Sequence, residues 1–260
     1  MLQVAGLKSL DDLFAEIPEQ LHFNREFALP EAMSEAEIRK FFDALGKKNS
    51  NLVCFAGAGV EDHYAPSIIN PIISRGEFLT AYTPYQPEIS QGTLQYIFEY
   101  QSMITELTGM DVTKASMYDG CTATAEAMMM CVAAAKKRNK VLVSATVNPK
   151  VKRVVETYAK FNGIVVETVP EKDGVTDIQI LETKLAGGDV AGVILAQPNF
   201  YGIVEDYSGV ADACHAQKAL MVMNANPSAL AVLKTPAEWG ADIACGDGQS
   251  LGIPMSYGGP

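Results

Sequence analysis

Chemistry in this chain has to come from a few turns where small or polar residues cluster at the end of an apolar run. In "YDGCTATAEA", Tyr118 to Ala127, Gly120 permits a tight bend. Cys121, Thr122 and Thr124 then set small side chains and free backbone N–H groups at the start of a helix, which suits an anion. The same residues also read as a glycine turn with a threonine cap on a closely packing Ala/Met helix, and on pattern alone that reading is the commoner one. "QPNFYG", Gln197 to Gly202, ends an apolar run with Asn199 and Tyr201, which could touch a ligand or could serve a turn shaped by Pro198 and Gly202. "MNANPSAL", Met223 to Leu230, offers Asn224 and Asn226, amides that cap but hold no negative charge. His63, in "GAGVEDHYAP", stands beside Glu61 and Asp62 in irregular sequence, where either a structural hydrogen bond or a functional role is open to it. The stretch "YTPYQPEISQG" puts Tyr82, Tyr85 and Gln91 on a proline-stiffened loop, and stiffness lowers the entropic cost of presenting polar groups. The chain closes on "GDGQSLGIPMSYGGP", Gly246 to Pro260, a glycine-rich bend with no lysine in it.

Two textures of sequence position these turns, with the change near residues 111–116. Before it, helical patches at Ser9 to Leu21 and Ser34 to Lys47 are joined by irregular connections, and Ser34 with Glu37 makes a capping box. Leu52 to Gly92 has little periodicity, and so much irregular backbone is unusual in a compact domain unless it is an ordered functional segment. Helical spacing returns from Thr93 to Thr108, with Gly109 placed to stop it. After Ser116 the pattern alternates. Strand-like "ASMYDG", "VLVSATV", "GIVVETV", "VAGVILAQPN", "ALMVMNA" and "ADIACGD" are separated by helical stretches at Thr122 to about Arg138, Pro149 to Asn162, Asp177 to Leu185 and Tyr207 to Gln217. Near-continuous Val, Ile and Leu in the strands predicts a mostly parallel sheet covered by helices on both faces, an α/β fold with ligands beyond its C-terminal strand ends. The expected organisation is an N-terminal helical and irregular segment, 1–115, and a large α/β domain, 116–260.

Composition narrows the function classes. A 260-residue chain with 48% hydrophobic and 20% charged residues has the make-up of a globular core. Its net charge of −11 opposes nucleic-acid and anionic-membrane partners. The one basic run, Lys136 to Lys140, reads as a solvated helix C-terminus. Five cysteines lie far apart without a C-x-x-C pair, and there are three histidines, so neither a disulfide framework nor a metal site is indicated. Reduced thiols and the lack of a signal-like start favour the cytoplasm. A dinucleotide-binding reading fails, because "FAGAGVEDH" lacks a third glycine at the required spacing.

Three stretches, "AYTPYQPEISQGTLQYIFEYQSMITELTGMDV", "ASMYDGCTATAEAMMM" and "EWGADIACGDGQSLGIPMSYGGP", closely resemble the P-protein (glycine decarboxylase) family of the glycine cleavage system. The resemblance runs along the whole chain and is to the first subunit, where the enzyme is split into two chains. It implies the aspartate-aminotransferase-like fold of fold-type I pyridoxal-phosphate enzymes. It also implies a complex that decarboxylates glycine and passes the aminomethyl group to the lipoyl arm of H-protein. Such members continue into a C-terminal small domain, so the chain is expected to be truncated before one.

Residue by residue, the resemblance implies a non-catalytic chain. A fold-type I site requires a lysine that forms a Schiff base with the cofactor, just before the glycine-rich turn. Here that position falls at Gln249 or Ser250, and no lysine follows Lys234. The acid that pairs with the pyridine nitrogen is replaced by Asn224 or Asn226, and the turn at Gly120, Cys121 and Thr122 is a vestigial phosphate loop. Pyridoxal phosphate is therefore expected on a lysine-bearing second subunit, with His63, Tyr82, Tyr85 and Gln91 as candidates to complete that partner's pocket. A free-standing pyridoxal-phosphate lyase or transaminase, and a purely structural partner subunit, are the alternatives.

Overall fold

The computed structural model describes residues 1–50, 52–53, 55, 57–58, 62–76 and 86–254. The chain divides into two compact units, Met1–Val53 and Cys54–Pro260. In the first, helix α1 (Leu2–Ala5) ends at Gly6, whose φ of 72° supplies the left-handed stop. Helix α2 (Glu35–Gly46) starts at the capping box expected from Ser34 and Glu37: Ser34 Oγ accepts from Glu37 N–H at 3.3 Å, and Glu37 Oε2 accepts from Ser34 N–H at 2.8 Å.

The expected helix over Ser9 to Leu21 does not form; the segment holds two short 3-10 turns, Asp11–Phe14 and Glu19–Leu21. Asp12 Oδ2 takes the N–H groups of Lys8 and Ser9 at 2.7 and 3.0 Å, a local alternative to helical bonding, and Pro18 removes a donor. No described residue of this unit is buried, so nothing packs a longer helix into place.

The second unit begins with α3 (Ile69–Ile73) and α4 (Gln91–Thr108), the latter ended by Gly109 at φ 71°. Then come α5 (Gly120–Ala135), β1 (Lys140–Ser144), α6 (Pro149–Asn162), β2 (Val165–Val169), the short pair β3 (Glu171–Lys172) and β4 (Val175–Thr176), and α7 (Ile178–Leu185). The series closes with β5 (Val190–Gln197), α8 (Val210–Ala216), β6 (Leu220–Ala225) and β7 (Ile243–Cys245). Five strands make one parallel sheet in the order β2-β1-β5-β6-β7, and β3 pairs antiparallel with β4.

Alternation along the strands divides the core into two layers. Leu142, Val193, Leu195, Met221 and Met223 face one side with Leu181 and Leu185 of α7 and Val210 and Cys214 of α8. Val141, Val143, Ile194 and Val222 face the other, against Ala125, Met128 and Cys131 of α5 and Val151 and Val155 of α6. Every residue of β5 is buried, as expected of a central strand covered on both faces. Helix α5 lies so close to β5 that a Cβ on Gly192 would come 2.5 Å from Cys131 Sγ.

Two local expectations are corrected. "ASMYDG" is not a strand: Ser116 has φ 138°, Tyr118 is 96% exposed, and α5 begins at Gly120. An extended run without a neighbouring strand has nowhere to place its backbone hydrogen bonds. The basic run is a solvated helix end only at Lys136, which caps α5, and Lys137, both exposed. Helix α5 stops at Ala135, and Arg138 turns inward, its guanidinium donating to the carbonyls of Val190 (2.6 Å), Gln217 (2.8 Å) and Lys218. Lys140 pairs with Asp189 at 2.7 Å.

Candidate functional site

Helix α5 points its N-terminus at the C-terminal ends of β6 and β7, where a parallel sheet of this kind places its ligands. Asp119 caps the helix: its Oδ1 accepts from Thr122 N–H at 2.7 Å, and Thr122 Oγ1 returns to Asp119 N–H at 3.3 Å. A second carboxylate reaches the same helix end from the segment after β7, with Asp247 Oδ2 accepting from Gly120 N–H at 3.3 Å. The approach is tight. A Cβ on Gly120 would lie 2.9 Å from both Asp247 N and the Gly246 carbonyl carbon, and one on Gly246 would lie 2.1 Å from Ala225 O. Glycine is required at both positions for the backbones to meet.

Thr124, one turn into α5, links three elements. Its Oγ1 donates to Gly120 O at 2.7 Å, accepts from Asn224 Nδ2 of β6 at 2.7 Å, and lies 3.5 Å from Cys245 Sγ of β7. Burial pushes the Cys245 thiol up to about 11. The half-buried Cys121 thiol is also raised, first by burial and then by the carboxylates of Asp119 and Asp247. Two carboxylates thus stand at the helix start, Asp119 and Asp247.

The terminal bend is equally engaged. Gln249 is 9% exposed; its N–H donates to Asp247 Oδ1 at 2.9 Å and its Nε2 to Pro254 O at 3.4 Å. Ser250 Oγ donates to Asn226 Oδ1 at 3.0 Å and lies 2.8 Å from Ser228 Oγ. Asn226 Oδ1 also caps the following turn through Ser228 N–H at 3.0 Å. The structure therefore brings together Gly120, Cys121, Thr122, Asn224, Asn226, Gln249 and Ser250, all named from sequence.

Of the other candidates, His63 Nε2 donates to Ile253 O at 2.6 Å, which ties residues 63–69 to the terminal bend. Gln91 Nε2 donates to Pro87 O at 2.5 Å, within its own turn. Tyr82 and Tyr85 lie outside the described residues.

Asn199, open to two readings from sequence, is 5% exposed and organises the turn after β5. Its Oδ1 accepts from Tyr201 N–H at 2.9 Å and Ile203 N–H at 3.0 Å, and its Nδ2 reaches Glu205 Oε1 at 2.7 Å. Glu205 was not singled out from sequence. It is 4% exposed and accepts also from Thr146 Oγ1 at 2.8 Å and Thr176 N–H at 2.7 Å. Among the described residues no group of His, Cys, Asp and Glu is arranged to hold a metal, and no helix is long and apolar enough to cross a membrane.

A parallel sheet with helices on both faces and a helix N-terminus aimed at its strand ends makes this an α/β protein of the doubly wound class. The chain belongs to the family described as glycine cleavage system P-protein, whose profile matches residues 1–260. It is 50% identical, over its full length, to a protein of Moorella thermoacetica named probable glycine dehydrogenase (decarboxylating) subunit 1, and 51% identical to one of the same name from Geobacillus kaustophilus. It spans 58% of the length of each. A crystal structure of glycine decarboxylase (P-protein) of the glycine cleavage system, in inhibitor-bound form, superposes with TM-score 0.87 at 43% identity, over 100% of this chain and 58% of that one. An Escherichia coli cysteine desulfurase shares the fold, with TM-score 0.56 at 14% identity over 86% of this chain and 57% of its own.

The cofactor implied by that fold does not fit the residues at this site. A phosphate at the start of α5 would meet the carboxylates of Asp119 and Asp247, and like charges brought together there repel. Gln249 and Ser250 carry no amine, so neither forms a Schiff base with an aldehyde. Asn224 and Asn226, which the resemblance sets against the ring nitrogen, are neutral amides already bonded to Thr124 and to Ser228 N–H.

Proposed function

We propose that this chain is the non-catalytic subunit of a glycine decarboxylase, paired with a lysine-bearing homologue that binds pyridoxal phosphate covalently. The complex decarboxylates glycine and hands the aminomethyl group to the lipoyl arm of H-protein, in the cytoplasm. The single observation that supports this division of labour is the state of the terminal bend. Where a Schiff-base lysine would stand, Gln249 and Ser250 are held by Asp247, Pro254, Asn226 and Ser228. The names of the Moorella and Geobacillus relatives, each a numbered subunit of glycine dehydrogenase, support a second subunit as partner.

Within this reading the large α/β domain begins near residue 116, and His63 with the loop Tyr82 to Gly92 helps complete the partner's pocket. His63 already fixes the segment before that loop to the terminal bend through Ile253 O. The test is glycine-dependent exchange of the carboxyl carbon with bicarbonate by the lysine-bearing subunit, measured with and without this chain. Exchange is expected to need both, and to fall when His63→Ala and Tyr85→Ala are combined in the co-purified complex. Full exchange by the lysine-bearing subunit alone overturns the role.

A further inference from the structure

We propose that the Asp247 carboxylate is a built-in anion that fills the phosphate cradle of this chain, so that α5 is closed to exogenous phosphate and serves as a structural anchor for the terminal bend. Three observations carry this. Asp247 bridges two elements, with Oδ2 on Gly120 N–H at the helix start and Oδ1 on Gln249 N–H in the bend. The backbones that carry it pack closely, since a Cβ at Gly120 would come 2.9 Å from Asp247 N and one at Gly246 2.1 Å from Ala225 O. The adjacent capping position is taken by Asp119, so a free dianion would have to displace one fixed carboxylate while lying beside another.

An anion at a helix N-terminus gains both hydrogen bonds and the favourable end of the helix dipole. A side chain supplies it without the entropy lost when a free ion is captured. Asp247 thus gives the helix what a bound phosphate would, and the gain goes into holding Gln249 and the bend in place. The inference rests on the proposed function in one respect, that the cofactor belongs to the partner. It is independent of whether this chain completes the partner's pocket.

Cys121, at the mouth of the cradle, is a reporter for the test. Its thiol is held up first by burial and then by Asp119 and Asp247, and alkylation proceeds through the thiolate. In the full-length protein with its companion subunit, iodoacetamide labelling of Cys121 is followed by peptide mass spectrometry across pH, with and without millimolar inorganic phosphate. Labelling of the wild type is expected to be indifferent to phosphate. Asp247→Asn and Asp247→Ser are each expected to label several-fold faster at pH 8. Phosphate should slow both variants again.

Phosphate protection of Cys121 in the wild type overturns the inference, whatever becomes of the variants. So do folded variants that gain neither speed nor phosphate protection. Bicarbonate exchange without this chain would instead overturn the functional role and leave the filled cradle standing.

Discussion

At the residue scale, Glu205 is a tightly held buried carboxylate. Its two oxygens take three donors, Thr146 Oγ1, Asn199 Nδ2 and Thr176 N–H, in a setting that is 4% exposed. Glu205→Gln keeps the shape but turns one oxygen into an NH2 group that must face a donor. Leaving a buried polar pair unsatisfied costs about 1–3 kcal/mol, and the loss should appear as a lower urea midpoint at unchanged m. Nothing in the sequence distinguishes Glu205 from any surface glutamate, because its donors come from the turn after β1, from β4 and from the turn after β5. By contrast, Gly120, Thr122 and Asn224 were legible, since a glycine turn before a helix and an amide at a strand end are local signals. Asp247 was legible as a residue of the glycine-rich bend but not as the partner of Gly120, for the hydrogen bond joins residues 127 positions apart.

At the scale of elements, the β–α alternation after residue 116 read well, because buried parallel strands are continuous apolar runs and their helices carry clear boundaries. Pro149 and Gly163 bracket α6, and Asp177 caps α7 by accepting from Ile180 N–H. What failed was extended or helical sequence without a packing partner, as at "ASMYDG" and Ser9 to Leu21. The β3–β4 hairpin went unread although Asp173-Gly174, with φ of 55° and 79°, is a strong turn signal; two-residue strands have no period to detect. The contact between α5 and β5 makes a prediction at this scale. Gly192→Ala places a methyl 2.5 Å from Cys131 Sγ, beside a Cys131 Cβ at 2.7 Å, and α5 must shift away from the sheet. Overpacking of this kind costs about 1–3 kcal/mol, measurable by thermal or urea unfolding.

At the scale of the whole molecule, three thiols bound the pH range of stability. Burial pushes Cys131 and Cys214 up to about 12 and Cys245 to about 11. In the unfolded chain they ionise from about pH 8.5. Their folded pKa values are raised, so the stability linked to their neutral forms is fully present below pH 8.5 and is lost as pH climbs towards 11–12. The loss is about 2 kcal/mol per thiol by pH 10. Melting temperature should therefore fall steeply between pH 8.5 and 10, and Cys214→Ala should make that fall shallower. An equal slope in the variant would refute the assignment.

Gln249 has a consequence for reversibility. Its backbone N–H rests on Asp247 and its amide on the Pro254 carbonyl, inside a bend that Ser250 fastens to Asn226 and Ser228. Exchanging that glutamine for a lysine would put a cation where an amide now meets the Pro254 carbonyl, while the neighbouring helix end stayed occupied by Asp247. Fitting an aldehyde cofactor to this bend thus requires several coordinated substitutions rather than one.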